Sequence, residues 1–187
     1  MRTPIQLLVA AFVGLMLTLP MVQADSALFP DTMQVGPDAL VLNGAGTRKK
    51  LFISVYRAGL YLKQKSNDAH AILAADEPMA IRLIITSSLV TPEKMTKATR
   101  EGFRKSTGGN TAPIAADIEK MIGVFRQGIE DGDVFDMIYQ PQTGTRFYRN
   151  DQEKGSVAGA AFKKALFGIW ISNDPVQKNL KKAMLGG

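Results

Sequence analysis

Short runs of apolar and β-branched residues dominate the middle of the chain. The longest run, residues 51–62 (LFISVYRAGLYL), is rich in β-branched and aromatic residues and predicts a strand. Residues 79–86 (MAIRLIIT) predict a second strand, in which Arg82 is the single charge. Upstream, residues 40–42 predict a brief strand, and the glycine-rich residues 43–46 are typical of a turn.

Helical patterns follow these strands. Residues 91–93 (Thr-Pro-Glu) are typical of a helix start, with threonine as the N-cap, proline at the first helical position and an acid in the first turn. This helix is predicted to end near residue 105, before two glycines. A second helix is predicted from about residue 113 to 127, because its apolar residues fall on one face at helical spacing.

Strand patterns then return. Residues 133–139 and 145–149 predict a hairpin that turns at residues 141–144, and a polar turn at 150–154 leads to a short strand near Ser156. Two more helices are predicted near the end of the chain.

These helices cover residues 159–168 and the segment that begins at Asn173. The order is therefore strands, helices, strands, helices, without strict alternation. It predicts the α+β class, with an antiparallel sheet and a layer of helices on one face.

The N-terminus has the three parts of a secretory signal peptide. Arg2 supplies the positive charge, residues 5–19 are an uncharged apolar run, and small residues precede a cleavage site near Ala24. A permanent membrane anchor is the alternative, but the run of 15 residues is shorter than the roughly 20 that span a bilayer. We therefore expect a signal peptide at residues 1–24, a single domain at 25–187, and a location in the periplasm or outside the cell.

Composition excludes several kinds of chemistry. The chain has no cysteine, so disulfides and thiolate nucleophiles are excluded, and its single histidine cannot form a histidine metal cluster. A Ser-His-Asp triad would have to use His70, which lies in the polar stretch of residues 63–76 and is expected to be a surface residue. We expect no metal and no cofactor. The net charge is +6, but the basic residues are scattered beside acids, so we expect no nucleic-acid binding and at most peripheral contact with a membrane.

Residues 42–48 (LNGAGTR) offer candidate chemistry. Closely spaced glycines can present backbone N–H groups to an anion, although they can equally form a tight turn between two strands. Arg48 and Tyr56 could converge on one carboxylate, the arginine through its fork of donors and the tyrosine through its hydroxyl. Alternatively, Tyr56 is a core residue whose hydroxyl is satisfied locally, on the same strand face as Phe52, Ala58 and Leu60.

Two segments resemble the chalcone-isomerase-like family. Residues 42–62 (LNGAGTRKKLFISVYRAGLYL) are similar to its signature of a glycine-rich turn with an arginine, followed by a strand that ends in Gly-x-Tyr-Leu. Residues 162–186, with a tryptophan before an Asp-Pro pair, are similar to the end of its bacterial members. The resemblance covers roughly residues 30–186 and implies an open-faced β-sandwich fold.

The resemblance also implies roles for individual residues. Arg48 matches the arginine that contacts the acidic or enolate oxygen of the ligand. Tyr56 matches the tyrosine of fatty-acid-binding members, where the plant enzymes carry a threonine. Lys94 and Glu101 stand where the plant enzymes have a catalytic-site tyrosine and asparagine, so we expect a solvated pair there instead of a chalcone site.

The prediction is therefore a periplasmic, non-catalytic protein that binds a small apolar carboxylic acid, with a fatty acid as the suspected ligand, through Arg48 and Tyr56. One alternative is an isomerase or lyase of an α,β-unsaturated carbonyl compound, with Arg48 as electrophile and Tyr56 as proton donor. The other is a ligand-free interaction protein, in which Arg48 pairs with Asp133 or Asp136. The sequence leaves open whether Trp170 lines the site.

Overall fold

The computed structural model describes residues 28–187 of the chain. The predicted signal peptide, residues 1–24, lies outside the described residues. Within them, no helix is both long enough and apolar enough to cross a lipid bilayer.

One antiparallel sheet of seven strands runs through the described chain, and each strand pairs with its sequence neighbours in the order β1 to β7. The fourth strand is buried on both faces, which is why its sequence is apolar at nearly every position instead of alternating. The strands are β1 (Thr32–Val35), β2 (Asp38–Lys50), β3 (Ile53–Leu62), β4 (Met79–Ile85), β5 (Val134–Gln140), β6 (Gly144–Arg149) and β7 (Gln152–Val157).

The helices fall between β3 and β5 and after β7. The start of α2 agrees with the prediction, because the Thr91 side chain caps it by accepting a hydrogen bond from the Lys94 N–H at 3.4 Å. The helices of the described chain are α1 (Ala69–Ala74), α2 (Pro92–Ser106), a short 3-10 turn (Ala112–Ile114), α3 (Ala115–Phe125), α4 (Ala160–Ile171) and α5 (Lys178–Met184).

The core lies between the sheet and these helices. All five α-helices contribute buried side chains to one apolar cluster, and β3 contributes Tyr56, Ala58 and Leu60 from its inner face. A smaller cluster on the other face includes Tyr61 and Phe29. The antiparallel sheet with helices packed on one face confirms the predicted α+β class.

The glycine-rich segment differs from the prediction. Residues 43–46 do not turn the chain but lie within β2, and the turn comes at Leu51 and Phe52. Phe52 is 100% exposed, so it does not share the buried face of Tyr56. Turn-forming composition misleads here, because the glycines serve a packing contact that involves a distant helix, described below.

Three smaller differences concern short elements. The strand β1 and the helix α1 were not predicted, and the last helix begins at Lys178, after the Asn173 segment, which is a loop. His70 lies exposed on α1, as expected for a surface residue.

Candidate ligand site

Arg48 and Tyr56 are direct cross-strand partners in the pairing of β2 with β3. Partners in an antiparallel pair point to the same face, so both side chains start on the helix-covered side of the sheet. Tyr56 is buried, at 7% exposure, while Arg48 is half-buried near the turn of the hairpin. The structure thus brings together the two predicted site residues.

Gln177 fixes the position of Arg48. Its Oε1 accepts hydrogen bonds from Nη1 of Arg48 at 3.1 Å and from the backbone N–H of Lys49 at 2.9 Å. Its Nε2 donates to the carbonyl of Thr47 at 3.4 Å. Gln177 directly precedes α5, and nothing in the sequence near Arg48 points to it, because the two residues are 129 positions apart.

The glycines of β2 allow α5 to approach. A Cβ atom on Gly44 would lie 2.1 Å from the carbonyl oxygen of Ala183, and one on Gly46 would lie 2.8 Å from the Ala183 Cβ. Real Cβ contacts are not that short, so only glycine fits. The two glycines therefore neither form a turn nor cradle an anion; they let α5 lie on the sheet with Gln177 beside Arg48.

Trp170 of α4 completes the site. Its indole Nε1–H donates a hydrogen bond to the Tyr56 hydroxyl at 3.0 Å, and the indole is only 4% exposed. Trp170 therefore contacts Tyr56, one of the two candidate site residues, directly. Because the tyrosine oxygen accepts this bond, its own O–H remains available to donate to a ligand oxygen.

The Tyr56 hydroxyl is held in its neutral form. Burial raises its pKa above the usual range, and the hydrogen bond from Trp170 and the charge of Arg48 offset this only in part. The hydroxyl is thus a proton-bearing donor at neutral pH, next to a permanent positive charge. That combination suits an anionic oxygen.

Arg48 has no carboxylate partner among residues 28–187. The two acids proposed for it are engaged elsewhere: Asp133 pairs with Arg149 at 2.7 Å, and Asp136 pairs with Arg82 at 2.8 Å. The pairing of Arg48 with either acid, which belonged to the interaction-protein alternative, is therefore not found. The physical reason is the strand register, which places Arg82 directly opposite Asp136.

The helix α2 does not supply the polar groups of a chalcone site. Lys94 and Glu101 are both exposed, but they do not pair: Lys94 donates to the carbonyl of Leu89, and Glu101 pairs with Arg104. The buried face of α2 carries Met95, Thr99, Gly102 and Phe103. The inward positions two turns apart, Met95 and Gly102, offer neither a hydroxyl nor an amide side chain.

The core side of the site is occupied by the buried side chains of Tyr56 and Trp170. A cavity of about 10 Å³ beside Met121 and Phe147, and a surface cleft of about 240 Å³ between Arg100 and Glu119, are both lined by other residues. Because Tyr56 and Trp170 are almost fully buried, hydrocarbon reaches the inner face at this point only when a side chain moves.

Among residues 28–187, no cluster of three or more histidine, aspartate or glutamate side chains could hold an ion.

Comparison with known proteins places the chain in a family. The family model described as chalcone isomerase-like matches residues 22–186. The chain belongs to the chalcone-isomerase-like family. No curated protein matches it.

A solved member of the same fold is the fatty-acid binding protein of Arabidopsis thaliana. It superimposes with a TM-score of 0.67 and 18% sequence identity, over 84% of this chain and 90% of that one. At this identity the likeness establishes the shared chalcone-isomerase-like fold.

Proposed function

We propose that this chalcone-isomerase-like protein binds a small apolar carboxylic acid, a fatty acid, without catalysing a reaction on it. The observation that carries the proposal is the juxtaposition of Arg48, which has no acid partner in the described chain, with the free O–H of Tyr56. The likeness to a fatty-acid binding protein supports the choice of ligand class.

The geometry suggests how the acid is held. One carboxylate oxygen accepts from the Arg48 guanidinium, which Gln177 holds through Nη1, and the other accepts from the Tyr56 hydroxyl. Hydrogen bonds to charged groups contribute about 1.5–3 kcal/mol, while each methylene buried by the hydrocarbon adds ~0.8 kcal/mol. A few methylenes therefore outweigh the head group, and affinity increases with chain length.

An enzyme of the chalcone-isomerase type is the competing function. Arg48 and Tyr56 could polarise a carbonyl, but the positions of α2 that match the polar residues of the plant enzymes, Lys94 and Glu101, are exposed and point away from the core. This favours binding over turnover.

Native mass spectrometry of protein purified from its own host tests the proposal. We expect a fatty acid to co-purify with the wild type and to be lost from Arg48→Ala, but not from Arg146→Ala, a matched change on β6. A wild type that is empty and ignores added fatty acids would contradict the proposal. Turnover of a chalcone above the spontaneous rate would favour the enzyme instead.

Export is a second part of the proposal. The N-terminal pattern supports cleavage near Ala24 and release into the periplasm or beyond. We expect cell fractionation to find the protein outside the cytoplasm, with a mature N-terminus at Asp25. A cytoplasmic protein that retains its first residues would contradict this.

A further inference from the structure

The tip of the β2–β3 hairpin, here called the hairpin tip and comprising residues 49–53, exposes apolar side chains. Leu51 is 86% exposed, Phe52 100% and Ile53 44%. Leu89, at 55%, follows β4 at the same end of the sheet, where the Thr86 N–H bonds to the Val55 carbonyl. Four of the five exposed large apolar side chains of residues 28–187 thus lie at one end of the molecule.

The turn itself is unfavourable for the residues it contains. Leu51 has φ +56° at the first position of a two-residue loop, where glycine is usual because a side chain is strained. Neither Leu51 nor Phe52 is buried by the fold in return. The folded protein therefore gains nothing visible from these two side chains, which points to a use outside it.

The charged side chains of the hairpin tip are all basic. Residues 39–67 contain no aspartate or glutamate, and they include the exposed Lys49 and Lys50 at the hairpin tip. Neither lysine is in an ion pair within the described chain. Exposed acids at this end of the sheet lie on other elements, at Glu93, Glu130, Asp131 and Asp151, so the hairpin tip itself presents only positive charge.

We propose that the hairpin tip docks on a lipid bilayer with anionic headgroups, with Leu51 and Phe52 entering the interface. Apolar residues beside lysines are the combination that binds such surfaces. A second copy of the chain fits less well, because tip-to-tip contact would bring the lysines of both copies together. The docking proposal depends only on the residues of the hairpin tip and not on the proposed function.

The position of the candidate ligand site indicates what the docking is for. Arg48 immediately precedes the hairpin tip, so docking brings the acid-binding end of the protein to the membrane, where fatty acids partition. We infer that the protein takes up or releases its acid there; this second step rests on the proposed function.

Vesicle binding tests the docking. The purified protein is expected to sediment with mixed phosphatidylcholine and phosphatidylglycerol vesicles, and much less with phosphatidylcholine alone. Phe52→Ser should weaken partitioning about tenfold or more. Lys49→Gln and Lys50→Gln should each weaken it about fivefold, while the matched changes Lys164→Gln and Lys182→Gln leave it unchanged.

The turn residue supplies a sharper variant. Leu51→Gly relieves the positive φ and should not lower the free energy of unfolding, yet it should weaken vesicle binding. If the hairpin tip had only a structural role, Leu51→Gly would not weaken vesicle binding while leaving the free energy of unfolding intact.

Three results would overturn the docking. The first is a wild type that does not bind anionic vesicles. The second is vesicle binding that the control changes Lys164→Gln and Lys182→Gln reduce as much as Lys49→Gln and Lys50→Gln do. The third is a wild type that self-associates through Phe52 in sedimentation velocity without binding vesicles. Failure of the proposed function is distinguishable: Phe52→Ser should slow transfer of a labelled fatty acid from vesicles but keep its affinity in solution, whereas Arg48→Ala should lose the affinity.

Discussion

The hydrogen bond between Trp170 and Tyr56 should be measurable in the stability of the protein. In Tyr56→Phe the indole N–H, buried at 4% exposure, loses its acceptor at 3.0 Å. A buried donor left without a partner costs about 1–3 kcal/mol. Such a loss lowers the Tm by several degrees, because 1 kcal/mol corresponds to roughly 2–4 °C in a domain of this size.

A double-mutant cycle isolates the energy of the hydrogen bond between Trp170 and Tyr56. Trp170→Phe leaves a cavity and is destabilising in its own right, but the cavity is common to both arms of the cycle. In the Trp170→Phe background no indole N–H remains to be orphaned, so adding Tyr56→Phe should change the free energy of unfolding by less than about 0.5 kcal/mol. Urea denaturation followed by circular dichroism measures all four proteins. An equal cost of Tyr56→Phe in both backgrounds would refute the interaction.

Two further predictions concern the scaffold. Gly44→Ala should prevent α5 from packing on the sheet, since the added Cβ would lie 2.1 Å from the Ala183 carbonyl oxygen. We expect a fall in Tm larger than any exposed substitution gives. An unchanged Tm would contradict the packing argument. Burial raises the pKa of Asp133, but hydrogen bonds from the Glu130 N–H and Asn150 and the charge of Arg149 lower it more, so the net pKa is lowered. The contribution of the ionised Asp133 side chain to the free energy of unfolding is therefore complete above about pH 4. It is lost as the pH falls through the pKa that Asp133 has in the folded protein. In Arg149→Met this loss should begin at higher pH, as urea midpoints across the acid range would show; identical acid profiles would contradict it.

Local patterns were sufficient for much of the fold. The capping of α2 by Thr91 and the apolar run of β4 depend on neighbouring residues, so the sequence predicted both elements. The β2–β3 hairpin was misplaced, because Gly44 and Gly46 are defined by their contact with α5, far along the chain. Composition alone cannot distinguish a glycine that turns the chain from one that admits a helix.

The candidate site, too, could be predicted from the sequence only in part. Arg48 and Tyr56 could be named from the sequence through the family resemblance, and the strand register pairs them. Gln177 could not be found, because its contacts with Lys49 and Arg48 form only when the last helix packs on the sheet. The acid partners named for Arg48 in the interaction-protein alternative were wrong for a similar reason: Asp136 faces Arg82 across the strands, which no local pattern encodes.

The central claim is that Arg48 recognises a carboxylate, and a comparison of two ligands in two proteins tests it most directly. Isothermal titration calorimetry would measure a fatty acid and its methyl ester against the wild type and Arg48→Ala. The account predicts that the wild type prefers the acid roughly 10- to 100-fold, equivalent to about 1.5–3 kcal/mol, and that Arg48→Ala loses this preference while binding the ester as before. An acid preference that survives in Arg48→Ala would contradict the account.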